Sequence, residues 1–314
     1  MSTVLEVAGL LLGFVLLIKG ADVFVDASVN IAKMLRIPNI VIGLTIVAVG
    51  TSAPEMVISV SAALSGSNAM AVGNVIGSNL FNLLFIVGLC ALVKPIAVRI
   101  QEIAKDYWVS VAAAVLLLIM KVMFNDVIPR AGSAVLLAAF IAYMVVLVRQ
   151  AMKNRDTEPE EQDTVKRSSL PRNILFAIAG VALIVAGGQF AVNNAVSIAL
   201  TLGITERIVG LTILAAGTSL PELITSIVAS KKGENDIAIG NVIGSNIFNL
   251  MFVLGLSGLV MPLTIDNNLL VDISVLIGAS LVFFLFAFTN RKIVRFEGFS
   301  LVMFYAVYMA FILW

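Results

Sequence analysis

The chain has 314 residues, 60% of them hydrophobic and 12% charged, with a formal net charge of +1. A soluble domain carries roughly 45–50% apolar and about 25% charged residues, so this composition excludes an ordinary water-soluble fold and places the chain in lipid. A single cysteine, Cys90, and the lack of histidine exclude an internal disulfide, a Cys/His zinc or haem site and Ser-His or Cys-His catalysis; the near-neutral charge offers nothing to nucleic acid.

A helix crossing the hydrocarbon core needs about 20 mostly apolar residues, and ten stretches qualify. The first, 4–31, carries Lys19, Asp22 and Asp26. It lacks a basic leader and a small-residue cleavage signature, so it is expected to remain in the mature protein. Its three charges lie within a turn or two of an interface, where snorkelling or a local ion pair accounts for them. Gln189 and Asn193 stand at the equivalent positions of the second half, which argues against a matched second site there.

The second and third stretches, 39–64 and 69–93, hold the polar and glycine-rich segments Gly43–Glu55 and Ala71–Leu89. Stretches 107–124 and 130–149 complete a first unit over 1–149. Lys153–Ser169 is polar and charge-rich, too poor in apolar residues to fold alone, and marks a solvated linker over 150–170. A second unit over 171–314 follows, with stretches 171–201, 206–230, 236–260, 268–289 and 296–314.

The second unit repeats the first. A shift of 167 residues aligns GLTIVAVGTSAPE (43–55) with GLTILAAGTSLPE (210–222) and AVGNVIGSNLFNLLFIVGL (71–89) with AIGNVIGSNIFNLMFVLGL (238–256), ten identities in thirteen positions and fourteen in nineteen. Five crossings per unit is an odd number, so the second unit must enter the membrane from the opposite side. The expected fold is therefore an all-α integral membrane protein of ten transmembrane helices in two inverted-topology five-helix repeats. Placing the N-terminus outside puts sixteen Lys and Arg residues in the cytoplasmic segments, linker included, and three in the outward loops, as the positive-inside rule requires. Inverted repeats interrupted at matching places by Gly and Pro point to a transporter whose site lies near the midplane.

Within the repeated segments, Glu55 and Glu222 fall near the middle of apolar spans, where an ionisable side chain costs roughly 2.5–3.5 kcal/mol or more. On a helix Thr51 and Ser52 are four and three residues from Glu55 and share its face, and Thr218, Ser219 and Glu222 repeat this. Ser78 and Asn82 are four apart in the next stretch, as are Ser245 and Asn249. Pro54 and Pro221 lack an N–H, so the carbonyls of Gly50 and Gly217 lose their helical donor and the helices kink. The resulting oxygen-only set suits a hard cation; calcium takes about six to eight oxygens, two glutamates neutralise one calcium ion, and the same oxygens divided differently suit several sodium ions. Gly43, Gly50, Gly73, Gly77 and Gly88 are read instead as positions of close helix approach.

At these residues the sequence resembles the cation/calcium exchanger superfamily, specifically its short prokaryotic sodium/calcium exchangers: GTSAPE with GNVIGSNLFN, and GTSLPE with GNVIGSNIFN, look like that family's two alpha-repeats. The resemblance implies that the second and third crossings of each unit form an ion-binding core, against which the long first and sixth crossings slide. It implies calcium ligands at Glu55, Glu222, Thr51 and Thr218, the threonines through backbone oxygen. Sodium or supporting ligands are implied at Ser52, Ser219, Ser78, Ser245, Asn82, Asn249 and the carbonyls of Ala48 and Ala215. Potassium-dependent members carry Asp where this chain has Asn249, so the match favours potassium independence.

The function expected is Na+/Ca2+ antiport by alternating access, with calcium extruded by the sodium gradient across a prokaryotic cell membrane. Beyond the bilayer and the two ions, no cofactor and no obligate protein partner are expected. The alternatives are proton/calcium antiport, since a desolvated carboxylate can trade a cation for a proton, potassium-dependent exchange, and a passive cation channel. An enzyme is not expected, because neither glutamate has a motif-linked nucleophile.

Overall fold

The computed structural model describes residues 3–154, 169–204, 209, 213 and 215–313. Helix α1 (Thr3–Leu35) is followed by the bent pair α2 (Asn39–Thr51) and α3 (Ala53–Leu64), then α4 (Asn68–Val93), α5 (Ile100–Met123) and α6 (Arg130–Asn154). The second half runs α7 (Leu170–Thr201), the short α8 (Ala215–Thr218), α9 (Leu220–Lys232), α10 (Asn235–Val260), α11 (Asn267–Asn290) and α12 (Arg295–Leu313). Among the described residues eight helices are long and apolar enough to cross a membrane, and α2 with α3 makes a ninth if counted as one span. The expected crossing over 206–230 lies partly outside the described residues, as does most of the linker.

Proline sets the breaks. Pro54 has no N–H, and its ring would strike the carbonyl four residues back. Helix α2 accordingly ends at Thr51, Ser52 takes φ −82° and ψ 8°, and α3 resumes with a 50° bend. Ser219 (φ −90°, ψ 8°) precedes Pro221 in the same way. Among the described residues, π-helical turns at Gly43–Val47, Phe81–Ile86 and Phe248–Val253 interrupt the α-helical register. Such turns are rare and concentrate at functional places.

Helices α4 and α10 form the centre, with 78% and 94% of their apolar windows buried against 28% for α1. Helix α10 crosses α2 so closely that a Cβ on Gly240 would lie 3.0 Å from Gly43 Cα and 2.8 Å from Ile40 O; only glycine permits this approach. The long helices α1 and α7 pack together in the same manner. A Cβ at Gly13 would lie 2.8 Å from Gly187 O, and one at Gly20 would lie 2.9 Å from Gly180 O. The pairing of 13 with 187 and 20 with 180 means that the two helices run antiparallel.

Two short ladders join the ends of the bundle, an addition to the all-helical expectation. β1 (Ile96–Ala97) pairs antiparallel with β4 (Lys292–Ile293), and β2 (Val127–Ile128) with β3 (Leu263–Thr264). Each ladder therefore ties one loop of the first half to one of the second. Phe81 stacks on Phe85 and Phe248 on Phe252, both at 4.8 Å between centroids, so the aromatic packing repeats as well.

Candidate ion-binding site

The two helix breaks turn Ser52 and Ser219 across the molecule. Ser52 Oγ donates to Glu222 Oε1 at 2.7 Å, and Ser219 Oγ donates to Glu55 Oε1 at 2.9 Å. Spacing alone puts each serine with the glutamate three residues along its own chain; the break redirects it to the other half. These four side chains are fully buried, and their reciprocal bonds bring both carboxylates into one site.

The backbone behind each glutamate is braced alike. Asn74 Nδ2 donates to Glu55 O (3.4 Å) and Ser59 Oγ (2.9 Å), and Asn241 Nδ2 donates to Glu222 O (3.4 Å) and Ser226 Oγ (2.9 Å). The single proton of the Thr51 hydroxyl is shared among Asn241 Oδ1 at 3.0 Å, Val47 O at 3.1 Å and Ala48 O at 3.4 Å. That hydroxyl is thus engaged in fixing the helix end, and Thr51 has its carbonyl left to offer. Thr218 is buried at the end of α8. The Ala48 carbonyl accepts Ser52 N–H at 3.0 Å and lies 3.4 Å from the Thr51 hydroxyl; Ala215 opens α8, its side chain outside the described residues.

From α4 and α10 come Ser78, Asn82, Ser245 and Asn249, all buried. Among the described residues, six buried oxygens of the expected set have no hydrogen-bond partner: Glu55 Oε2, Glu222 Oε2, Ser78 Oγ, Ser245 Oγ, Asn82 Oδ1 and Asn249 Oδ1. An unsatisfied buried acceptor costs roughly 1–3 kcal/mol, more when charged, so six such oxygens in three repeat pairs mark a place built for something that accepts oxygen donation. With no thiolate or imidazole in the set, these donors suit a hard cation.

Other charged groups lie apart from this set. Asp22 and Asp26 both pair with Lys232, at 2.6 Å each. The ion pair on α1 is therefore made with the end of α9, not locally, and Lys19 is exposed. Sequence spacing left unassigned the asparagines at 74, 79, 241 and 246 and two part-buried tyrosine–carboxylate pairs, Tyr143 with Asp106 (2.9 Å) and Tyr308 with Asp272 (3.1 Å). Each set occurs once per half; for the asparagines the invariance of G-N-x-x-G-S-N between the halves was the available signal.

A buried, two-carboxylate, oxygen-only site between repeated helices defines a membrane transporter for small hard cations. The sequence profile of the sodium/calcium exchanger protein family matches residues 5–149 and 172–314, and the chain belongs to that family. It is 40% identical over 262 residues to the putative antiporter CaxA of Alkalimonas amylolytica, covering 82% of this chain and 81% of the relative. It is 33% identical over 338 residues to the sodium/calcium exchanger MaX1 of Methanosarcina acetivorans, covering 96% of each. Among solved structures, the sodium-calcium exchanger NCX_Mj soaked with Na+ and Ca2+ superimposes with a TM-score of 0.84 at 33% identity, covering 98% of both chains.

Proposed function

We propose that this protein is a Na+/Ca2+ antiporter that extrudes calcium by alternating access at the Glu55–Glu222 site, driven by the sodium gradient. The observation that carries the reading is the reciprocal pair Ser52–Glu222 and Ser219–Glu55 with both Oε2 atoms left unpartnered in a fully buried position. Two carboxylates cancel the charge of one calcium ion, with the carbonyls of Thr51 and Thr218 completing its cradle. When sodium replaces calcium, Ser52, Ser219, Ser78, Ser245, Asn82, Asn249 and the carbonyls of Ala48 and Ala215 share the load.

Ten helices in two inverted five-helix repeats, 1–149 and 171–314, with the N-terminus outside and the linker in the cytoplasm, are the architecture we infer. Antiparallel α1 and α7 support opposite orientation of the two halves. So do the two ladders, since β1 and β4 belong to segments that the charge distribution puts on the cytoplasmic side, and β2 and β3 to segments that it puts outside. The α1–α7 pair, held by its facing glycines, is the body that slides over the core and uncovers the ions to one side at a time.

Calcium-45 uptake into proteoliposomes under imposed sodium, potassium and proton gradients in turn tests this. Uptake is expected with the sodium gradient alone, and Glu55→Gln and Glu222→Gln should each abolish it. Undiminished uptake in both variants refutes the site, and uptake driven by a pH gradient without sodium refutes the coupling.

A further inference from the structure

We propose that Asn79 and Asn246 are positioning residues that decide which end of the Asn82 and Asn249 amides faces the ions, and so maintain the cation affinity of the site. The inference rests on the ion-binding reading above and concerns side chains to which that reading gives no task. An asparagine amide has two ends of nearly equal shape, an accepting oxygen and a donating NH2. Turned one way Asn82 offers a cation an oxygen; turned the other it offers two N–H groups, which repel it.

The orientation is fixed by a chain of bonds that begins at the backbone. Asn79 Nδ2 donates to the backbone carbonyl of Asn246 at 3.1 Å, and Asn246 Nδ2 donates to the backbone carbonyl of Asn79 at 3.3 Å. A carbonyl can only accept, so in both residues the end that meets it must be the NH2, and the other end must be the oxygen. Those oxygens can only accept in turn. Asn246 Oδ1 receives Asn82 Nδ2 at 3.1 Å, and Asn79 Oδ1 receives Asn249 Nδ2 at 3.2 Å. Asn82 and Asn249 are left with their NH2 ends turned to the opposite helix and their Oδ1 atoms buried and unpartnered. Each oxygen stands with the unpartnered hydroxyl of Ser78 or Ser245, four residues before it. The orientation of an amide on α4 is thus dictated by α10, and the reverse.

Two buried bonds across a helix interface would also serve as simple glue, and a double-mutant cycle separates the two roles. The readout is half-saturating Na+ and Ca2+ for sodium-driven calcium-45 uptake by the full chain in proteoliposomes. Asn246→Ala removes the acceptor opposite Asn82 Nδ2 and is expected to raise half-saturating Na+ or Ca2+ about tenfold. In an Asn82→Asp background the side chain presents an oxygen whichever way it turns, so the same Asn246→Ala change should cost less than about twofold. Asn79→Ala with Asn249→Asp makes the mirror-image cycle. Equal losses in the two backgrounds, or no loss in the unaltered background, overturn the proposal. Should the alanine variants fail to fold, Asn246→Leu, which keeps the bulk and has no acceptor for Asn82 Nδ2, replaces Asn246→Ala in the same cycle, and equal losses in the two Asn82 backgrounds overturn the proposal. Absence of sodium-driven uptake by the unaltered chain would fell the ion-exchange reading and this proposal together; equal losses fell this proposal alone.

Discussion

Around Glu55 and Glu222 the serine and asparagine bonds of one half have counterparts in the other, whereas the two long helices meet that core unequally. Helix α1 lies along α9 and is tied to it by Lys232 between Asp22 and Asp26. Helix α7 has Gln189 and Asn193 at the corresponding positions, Ser65 replaces the lysine, and among the described residues α7 makes no comparable packing on α3. The difference separates two tasks. On the alternating-access reading proposed above, a site offered to both sides of a membrane gains from symmetry, because the same oxygens serve either opening; the helices that cover it must favour one side at a time and so cannot be symmetric at any instant.

The largest effects should come from breaking the symmetric part. Ser52→Ala and Ser219→Ala each remove a hydrogen bond to a buried carboxylate, worth roughly 1.5–3 kcal/mol, and each should raise half-saturating Ca2+ about tenfold or more. The comparison requires the two losses to agree within about threefold, and a large loss in only one would break it. Next comes the packing that holds the centre together. Gly240→Ala drives a Cβ to 2.8 Å from the Ile40 carbonyl and should cost about 1–3 kcal/mol, seen as a lowered melting temperature in detergent. Gly278→Ala, with nothing within 4 Å among the described residues, should leave that temperature unchanged; equal drops would mean that the centre is no tighter than the flank. The smallest effect sharpens the asymmetry. Lys232→Ala removes a partly exposed ion pair, worth about 0.2–1 kcal/mol, and should change the ratio of half-saturating Ca2+ measured from the two sides of the membrane about threefold. Ser65→Ala should leave the ratio alone.

Hydropathy marked the membrane helices well because a crossing needs about 20 consecutive, mostly apolar side chains to face the hydrocarbon core. Stretches expected at 69–93 and 171–201 are helices Asn68–Val93 and Leu170–Thr201. The stretch expected from 107 begins at Ile100, since Gln101, Glu102, Lys105 and Asp106 extend the helix past its apolar part and carry no hydropathy signal. The π-turns were not legible, because they leave no mark in composition. Glu55 and Glu222 stood out because a carboxylate in an apolar run needs a reason; their meeting through the serines of opposite halves did not, since face arguments assume an unbroken helix and Pro54 and Pro221 break it. The Asp22–Asp26–Lys232 link spans more than 200 residues of sequence, beyond what i,i+4 spacing can reach. Asn79 and Asn246 were visible only as letters of a repeated string, because an amide's task depends on which carbonyl it faces.

The crossed serine bonds also bear on how such a chain can originate. Neither half finishes its own carboxylate: the hydroxyl that Glu55 needs is supplied 164 residues downstream, and the one that Glu222 needs 170 residues upstream. An ancestor of half this length would have had an incomplete site as a monomer and a complete one only on meeting a second copy of itself. Fusing two such copies into one chain makes that encounter certain, and frees each half to diverge wherever, as at Lys232, sameness is not required.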